Sequence, residues 1–171
     1  MKQNLDEAVK SPSFPEEERQ RQVVLNSLNI LDTPAEERFD RLTRLARRMF
    51  NVPIALVSLV DQNRQWFKSC FGLPVCETQR DISFCGHAIL GDEPFVINDA
   101  SIDERFSDNP LVLDDPKIRF YAGCPLVSNE GFKLGTFCII DPIPRKFDQN
   151  DVEALLDLAD LAQRELAAVQ L

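Results

Sequence analysis

The stretch Pro53-Ile54-Ala55-Leu56-Val57-Ser58-Leu59-Val60-Asp61-Gln62-Asn63-Arg64-Gln65-Trp66-Phe67-Lys68-Ser69 decides the fold. Its first half is apolar and β-branched, Asp61-Gln62-Asn63 carries turn-forming side chains, and the chain returns through Arg64 to Ser69, so a β-hairpin is predicted. A second hairpin is predicted from residues 118–127 and 134–141, joined across Asn129-Glu130-Gly131. Pro94-Phe95-Val96-Ile97-Asn98-Asp99 supplies a further strand, giving about five antiparallel strands.

Helical signals lie on either side. Glu16, Glu17 and Glu18 suit a helix N-terminus, and Val24, Leu28 and Leu31 follow at helical spacing, with the stop expected near Asp32. Thr33-Pro34-Ala35-Glu36 has the form of a capping box. The helix after it is amphipathic: Leu42, Leu45, Ala46, Met49 and Phe50 form the apolar stripe, and Arg41, Arg44, Arg47 and Arg48 lie mostly on the solvated side. The last helix starts from Asp148 as N-cap, with Asp151 three residues on, and runs to the C-terminus. Val152, Leu155, Ala159, Ala162 and Leu166 form one stripe; Leu158 and Leu161 lie off it and call for a second helix, from a partner or from the N-terminal segment. Ser83 is positioned to cap a short helix over residues 84–90, Glu77-Thr78-Gln79-Arg80-Asp81 reads as a polar loop that an Arg80–Asp81 pair would hold, and residues 100–117 read as a long connection with one short helical turn.

Composition bounds the function. The chain has 171 residues, 44% hydrophobic and 27% charged, which suits a single globular domain. Its net charge of −9 and the lack of a basic stripe argue against nucleic acid. No apolar run reaches the roughly 18–20 residues that span a bilayer, and the N-terminus lacks a signal-peptide core, so a cytoplasmic location without membrane contact is expected. Five cysteines without Cys-x-x-Cys spacing point to free thiols rather than a disulfide framework or a zinc site. Residues 1–14 read as a flexible lead and 15–171 as one domain.

Several motifs resemble the GAF domain. They are Ile30-Leu31-Asp32-Thr33-Pro34 with Glu37-Arg38-Phe39-Asp40, the central hairpin above, Arg80-Asp81-Ile82-Ser83-Phe84-Cys85-Gly86-His87, Phe106-Ser107-Asp108-Asn109-Pro110-Leu111-Val112, Arg119-Phe120-Tyr121-Ala122-Gly123, and Leu134-Gly135-Thr136-Phe137-Cys138-Ile139-Ile140-Asp141. The resemblance runs roughly from Arg21 to Leu166 and is to bacterial GAF sensor domains found with diguanylate cyclase or histidine kinase outputs. It implies an α+β fold: an antiparallel five- to six-stranded sheet with N- and C-terminal helices on one face and loops and a short helix on the other, a GAF/PAS-like α/β/α sandwich. It also implies a regulatory module in signal transduction that binds a small, unidentified molecule and forms a homodimer through its terminal helices. No kinase or cyclase signature occurs in these residues, so a lone or excised sensor is expected.

Carried over by motif, the implied pocket involves Phe67, Cys85, His87, Asp99, Phe106, Asn109, Phe120, Tyr121, Gly123 and Thr136. Aromatic walls with a few polar anchors suit small-molecule binding. Core packing competes for Phe67, Phe106 and Phe120, which line or plug the same space, and a pocketless dimerisation scaffold is the corresponding alternative. A structural role competes for His87, and turn capping for Asp99 and Asp141; no cofactor or metal is assigned. A strongly anionic ligand would need Arg80, Arg105 or Arg119 nearby. The enzymatic alternative is the GAF-type free methionine sulfoxide reductase, or a thiol redox sensor, which the resemblance ties to Cys76 and Cys85. Against it, the connection before the fourth strand has Leu113-Asp114-Asp115-Pro116-Lys117 where that branch has a further cysteine, and the spacing from Cys76 to Cys85 differs by one residue.

Overall fold

Alternation along the central strands sorts the core into two halves. In the computed structural model, which describes residues 10–168, six strands form one antiparallel sheet in the order β3-β2-β1-β6-β5-β4. They are β1 (Ile54–Val60), β2 (Arg64–Phe71), β3 (Glu77–Gln79), β4 (Phe95–Ile97), β5 (Phe120–Val127) and β6 (Lys133–Asp141). Every residue of β1 is buried, because both faces of the sheet are covered. Ala55, Val57 and Leu59 face a core shared with α1 (Glu18–Ser27), α2 (Glu37–Phe50) and α5 (Gln149–Ala168). Ile54, Leu56 and Val60 face a second core, closed by α3 (Phe84–Ala88), α4 (Pro110–Leu113) and the loops around them. This is the expected α+β architecture, helices on one face and a short helix with loops on the other.

The pairing register explains one local departure. Val57 pairs Ser69 and Ser58 pairs Phe67, so Lys68 is the extra residue of a bulge. Lys68 and Ser69 therefore both turn towards the helices. The Lys68 ammonium, with a fully buried side chain, donates to Thr33 Oγ1 at 2.9 Å and to the Pro34 carbonyl at 2.6 Å, and pairs with Glu36 at 2.7 Å. Ser69 donates to Asp40 at 2.6 Å and shares a hydrogen bond with Thr43.

Four expectations are corrected. The first helix ends at Ser27 rather than near Asp32; Asn29 and Asp32 take left-handed backbone (φ 51° and 62°), which a helix cannot continue through. Thr33-Pro34-Ala35-Glu36 does not close a capping box, since Thr33 donates back to the Ile30 carbonyl and Glu36 is spent on Arg38 and Lys68. Residues 77–79 form an edge strand on β2 instead of a loop, and Arg80 pairs with Glu18 rather than Asp81. Leu158 is buried in the helix-side core with Leu42 and Ala46 of α2, so of the two off-stripe leucines only Leu161 stays exposed.

Other expectations hold. Ser83 caps α3 by accepting from Gly86 N at 3.0 Å, and Asp148 and Asp151 exchange backbone-to-carboxylate bonds at the start of α5. The connection over residues 100–117 is long as expected but carries two short helical pieces rather than one, a 3-10 turn at Ala100–Ile102 and α4. The lead expected over residues 1–14 falls partly outside the described residues, as does the end of the last helix beyond Ala168; residues 10–14 lie against α3 and Arg80. No helix among the described residues is long and apolar enough to cross a membrane.

Candidate functional site

The face of the sheet away from the long helices does not close completely. Between it and its cap lies a cavity of about 290 Å³. Leu56, Phe67, Tyr121 and Ile140, one from each of the four inner strands, form the floor, and Phe84 and Cys85 of α3 form part of the roof. Leu73, Pro74 and Val75 from the β2–β3 loop, Leu111 and Pro116 from the 100–117 connection, and Ile118 just after it complete apolar walls. The polar members are Gln65, Thr78, Glu77 and Asp115, the two acids being exposed. Among the described lining residues there is no Lys, Arg or His.

The inner end of the cavity is a cluster of thiols and hydroxyls. Cys85 Sγ lies 3.0 Å from Thr136 Oγ1, 3.2 Å from the Tyr121 hydroxyl and 4.0 Å from Cys138 Sγ. Cys85 and Cys138 are both buried. Strand parity puts Thr136 and Cys138 of β6 on this face, and α3, held by its Ser83 cap, brings Cys85 down onto them. Tyr121 reaches the cluster because its same-face neighbour two residues on is Gly123; a Cβ there would collide with the Tyr121 ring and hydroxyl. Burial alone pushes the Cys85 thiol up, but hydrogen bonds from Cys138, Thr136, Tyr121 and Ser58 outweigh it and bring the thiol down to about 7. Burial pushes Tyr121 and Cys138 well above their ordinary values. Ser58, beside Cys85, donates its one hydroxyl proton to Gln65, which donates to Thr78 at the rim, so a polar chain runs from the mouth to the neighbourhood of the thiol.

Of the residues expected in the site, Phe67, Cys85 and Tyr121 line the cavity and Thr136 and Gly123 shape its inner end. The other five lie elsewhere. Phe120 faces the helix-side core, because it neighbours Tyr121 on a strand and so points the opposite way. Phe106 is stacked on Phe84 (4.1 Å between ring centroids), outside the lining. Asn109 is spent as the cap of α4, accepting from Leu111 N at 2.9 Å and donating to the Ile82 carbonyl at 3.0 Å. Asp99 caps its own 3-10 turn through Ser101. His87 points out of α3, bonds the Lys10 carbonyl at 3.2 Å and packs its ring on Phe106; burial lowers its pKa. Cys76, which the reductase resemblance ties to Cys85, is exposed and sits near Cys70. The walls from Leu73-Pro74-Val75 and Leu111 were missed, although apolar residues clustered in a turn-rich segment are the available signal.

The GAF domain profile matches residues 34–166, and the chain belongs to the GAF domain family. It is 43% identical over 157 residues to the cyclic di-GMP phosphodiesterase PA2567 of Pseudomonas aeruginosa, an alignment that takes in 91% of this chain but 27% of that protein. The chain thus spans about a quarter of the length of that curated relative. Among solved structures, the type II free methionine-R-sulfoxide reductase of Thermoplasma acidophilum superposes with a TM-score of 0.62 at 13% identity, over 78% of this chain and 90% of that one. The GAF domain of an Acinetobacter phosphoenolpyruvate-protein phosphotransferase gives 0.58 at 17% identity, over 88% and 92%. At these identities the structural likenesses establish the shared fold.

Proposed function

We propose that the chain is a regulatory, small-molecule-sensing GAF module in bacterial signal transduction, taking a mainly apolar, uncharged or cationic ligand into the cavity under α3. The observation that carries this is the cavity itself: about 290 Å³, apolar walls, and a few polar groups at mouth and inner end. Its charge selects the ligand. The arginines an anion would need are engaged elsewhere: Arg80 with Glu18, Arg105 with Asp103, and Arg119 with the carbonyls of Val112 and Ile118. At the rim Glu77 is paired with Arg64 at 3.4 Å, which leaves exposed Asp115 to make the lining mildly anionic. The relative named a cyclic di-GMP phosphodiesterase supports a signalling context, yet a polyanionic dinucleotide suits neither the size nor the charge of this cavity.

The signal leaves through Arg80. This residue follows β3, begins the segment leading into α3, and pairs with Glu18 at the start of α1. A ligand that lifts or settles the roof thereby bears on a terminal helix, provided it prefers one arrangement. The same helices carry the proposed homodimer contact, and the module is assigned to the cytoplasm. No catalytic role is assigned, and free methionine sulfoxide is expected to persist with a thiol reductant at the rate given by Cys85→Ser. Native mass spectrometry of freshly purified protein tests the ligand: a non-covalent adduct that is lost on denaturation and carries no phosphate is the expected result.

A further inference from the structure

We propose that Cys85 and Cys138 are a peroxide-oxidisable dithiol, a modification site at the inner end of the cavity that closes to a disulfide. The pair is separated by 53 positions in sequence, joined only through the fold, and its sulfurs stand 4.0 Å apart, at van der Waals contact. Bond formation needs an approach to about 2.05 Å, a movement that a one-and-a-half-turn helix carrying Cys85 over a fixed strand can make. Access is asymmetric. Cys85 lines the cavity and Cys138 does not, so a small hydroperoxide entering by the mouth meets Cys85 first. The groups facing Cys85 are Ser58 of β1, Tyr121 of β5, and Thr136 and Cys138 of β6; the Tyr121 and Thr136 hydroxyls, at 3.2 and 3.0 Å, are placed to donate to a thiolate, while the Ser58 proton goes to Gln65.

The chemistry balances in two steps. The Cys85 thiolate attacks the outer oxygen of a hydroperoxide ROOH; the O–O bond breaks, the sulfur is oxidised by two electrons to sulfenic acid, and ROH leaves with the thiol proton. Cys138 then attacks the Cys85 sulfur; the S–S bond forms, the S–O bond breaks, and the hydroxyl leaves as water with the Cys138 proton. Two thiols and one hydroperoxide give one disulfide, one alcohol and one water. The product ties α3 to β6 and removes Cys85 from its bonds to Thr136 and Tyr121, so the roof of the cavity is pinned. The dithiol stands independently of the ligand reading; only its effect on binding rests on it.

The test uses the full chain with Cys70→Ser and Cys76→Ser, which removes the two exposed thiols. Treated with equimolar hydrogen peroxide, the protein is expected to lose two hydrogens in intact mass and to yield one linked peptide pair, Cys85 to Cys138, reversed by dithiothreitol. With Cys138→Ser added, dimedone is expected to label Cys85; with Cys85→Ser, neither remaining thiol reacts. In the unsubstituted protein, peptide mapping compares Cys85 with exposed Cys70, so the result does not depend on any variant folding. Cys85 and Cys138 remaining reduced after Cys70 is fully oxidised, or Cys85 linking to another cysteine, overturns the proposal.

Discussion

Gly123 and Tyr121 show how one side chain is bought room by the absence of another. Tyr121 lies over Gly123 along β5 and delivers its hydroxyl to Cys85 and Thr136. Gly123→Ala puts a methyl where the phenol ring is, and overpacking of this kind costs about 1–3 kcal/mol. Denaturant unfolding is expected to register that loss, with Tyr121→Phe on the Gly123→Ala background failing to restore it because the ring itself is displaced. Sequence reading reached Cys85, Tyr121, Gly123 and Thr136 through motif resemblance, whereas nothing in the spacing pairs Cys85 with Cys138. That contact depends on the register of β6 against β1 and on where α3 descends. Phe120 was misplaced for a plain reason: adjacent strand residues cannot both face the cavity.

At the scale of elements, the two central hairpins and the long helices were legible because periods of two and 3.6 residues repeat often enough to be read. β3 was not, since three polar residues on an edge carry no alternation signal, and the Lys68 bulge was hidden because it appears only when β2 is set against β1. The coupling of α1 to the cap was equally invisible, as Glu18 and Arg80 are far apart in sequence. Here Glu18 serves two buried arginines, Arg21 at 2.8 Å and Arg80 at 2.5 Å. Partial burial pushes its carboxyl up, but the hydrogen bonds and charges of the two guanidinium groups prevail and hold it at about 2 against an ordinary 4.5. A depressed carboxyl stabilises the fold above its unfolded value and loses that contribution as it is protonated. Stability is therefore expected to fall between pH 4.5 and about 2, and Glu18→Gln to flatten that part of the acid-unfolding profile while lowering stability at pH 7. An unchanged acid limb in the variant would place the linkage elsewhere.

For the whole molecule, the helix layer leaves apolar side chains uncovered: Val23 on α1, Leu45 and Met49 on α2, and Leu156 and Leu161 on α5. With Leu158 buried, Leu161 is left as the exposed leucine of the expected contact, and Leu156 is exposed about 140° round α5 at the other edge of its buried face. Sedimentation is expected to show a dimer, weakened about tenfold, or ~1.4 kcal/mol, by Leu156→Ala with Leu161→Ala; a monomeric parent contradicts the association. The central claim is that the cavity binds a small apolar molecule that carries no negative charge, and thermal melting of the full chain tests it most directly. The additives are millimolar benzyl alcohol, benzylammonium, benzoate and cyclic di-GMP, each compared with Leu73→Trp, which fills the mouth. A ligand at a few times its Kd adds about 1 kcal/mol, roughly 2–4 °C for a chain of this length. Benzyl alcohol and benzylammonium are predicted to raise the melting temperature of the parent but not of Leu73→Trp. Equal or greater stabilisation by benzoate or cyclic di-GMP contradicts the charge assignment; no stabilisation by any of the four, or a rise that survives Leu73→Trp, contradicts binding in this cavity.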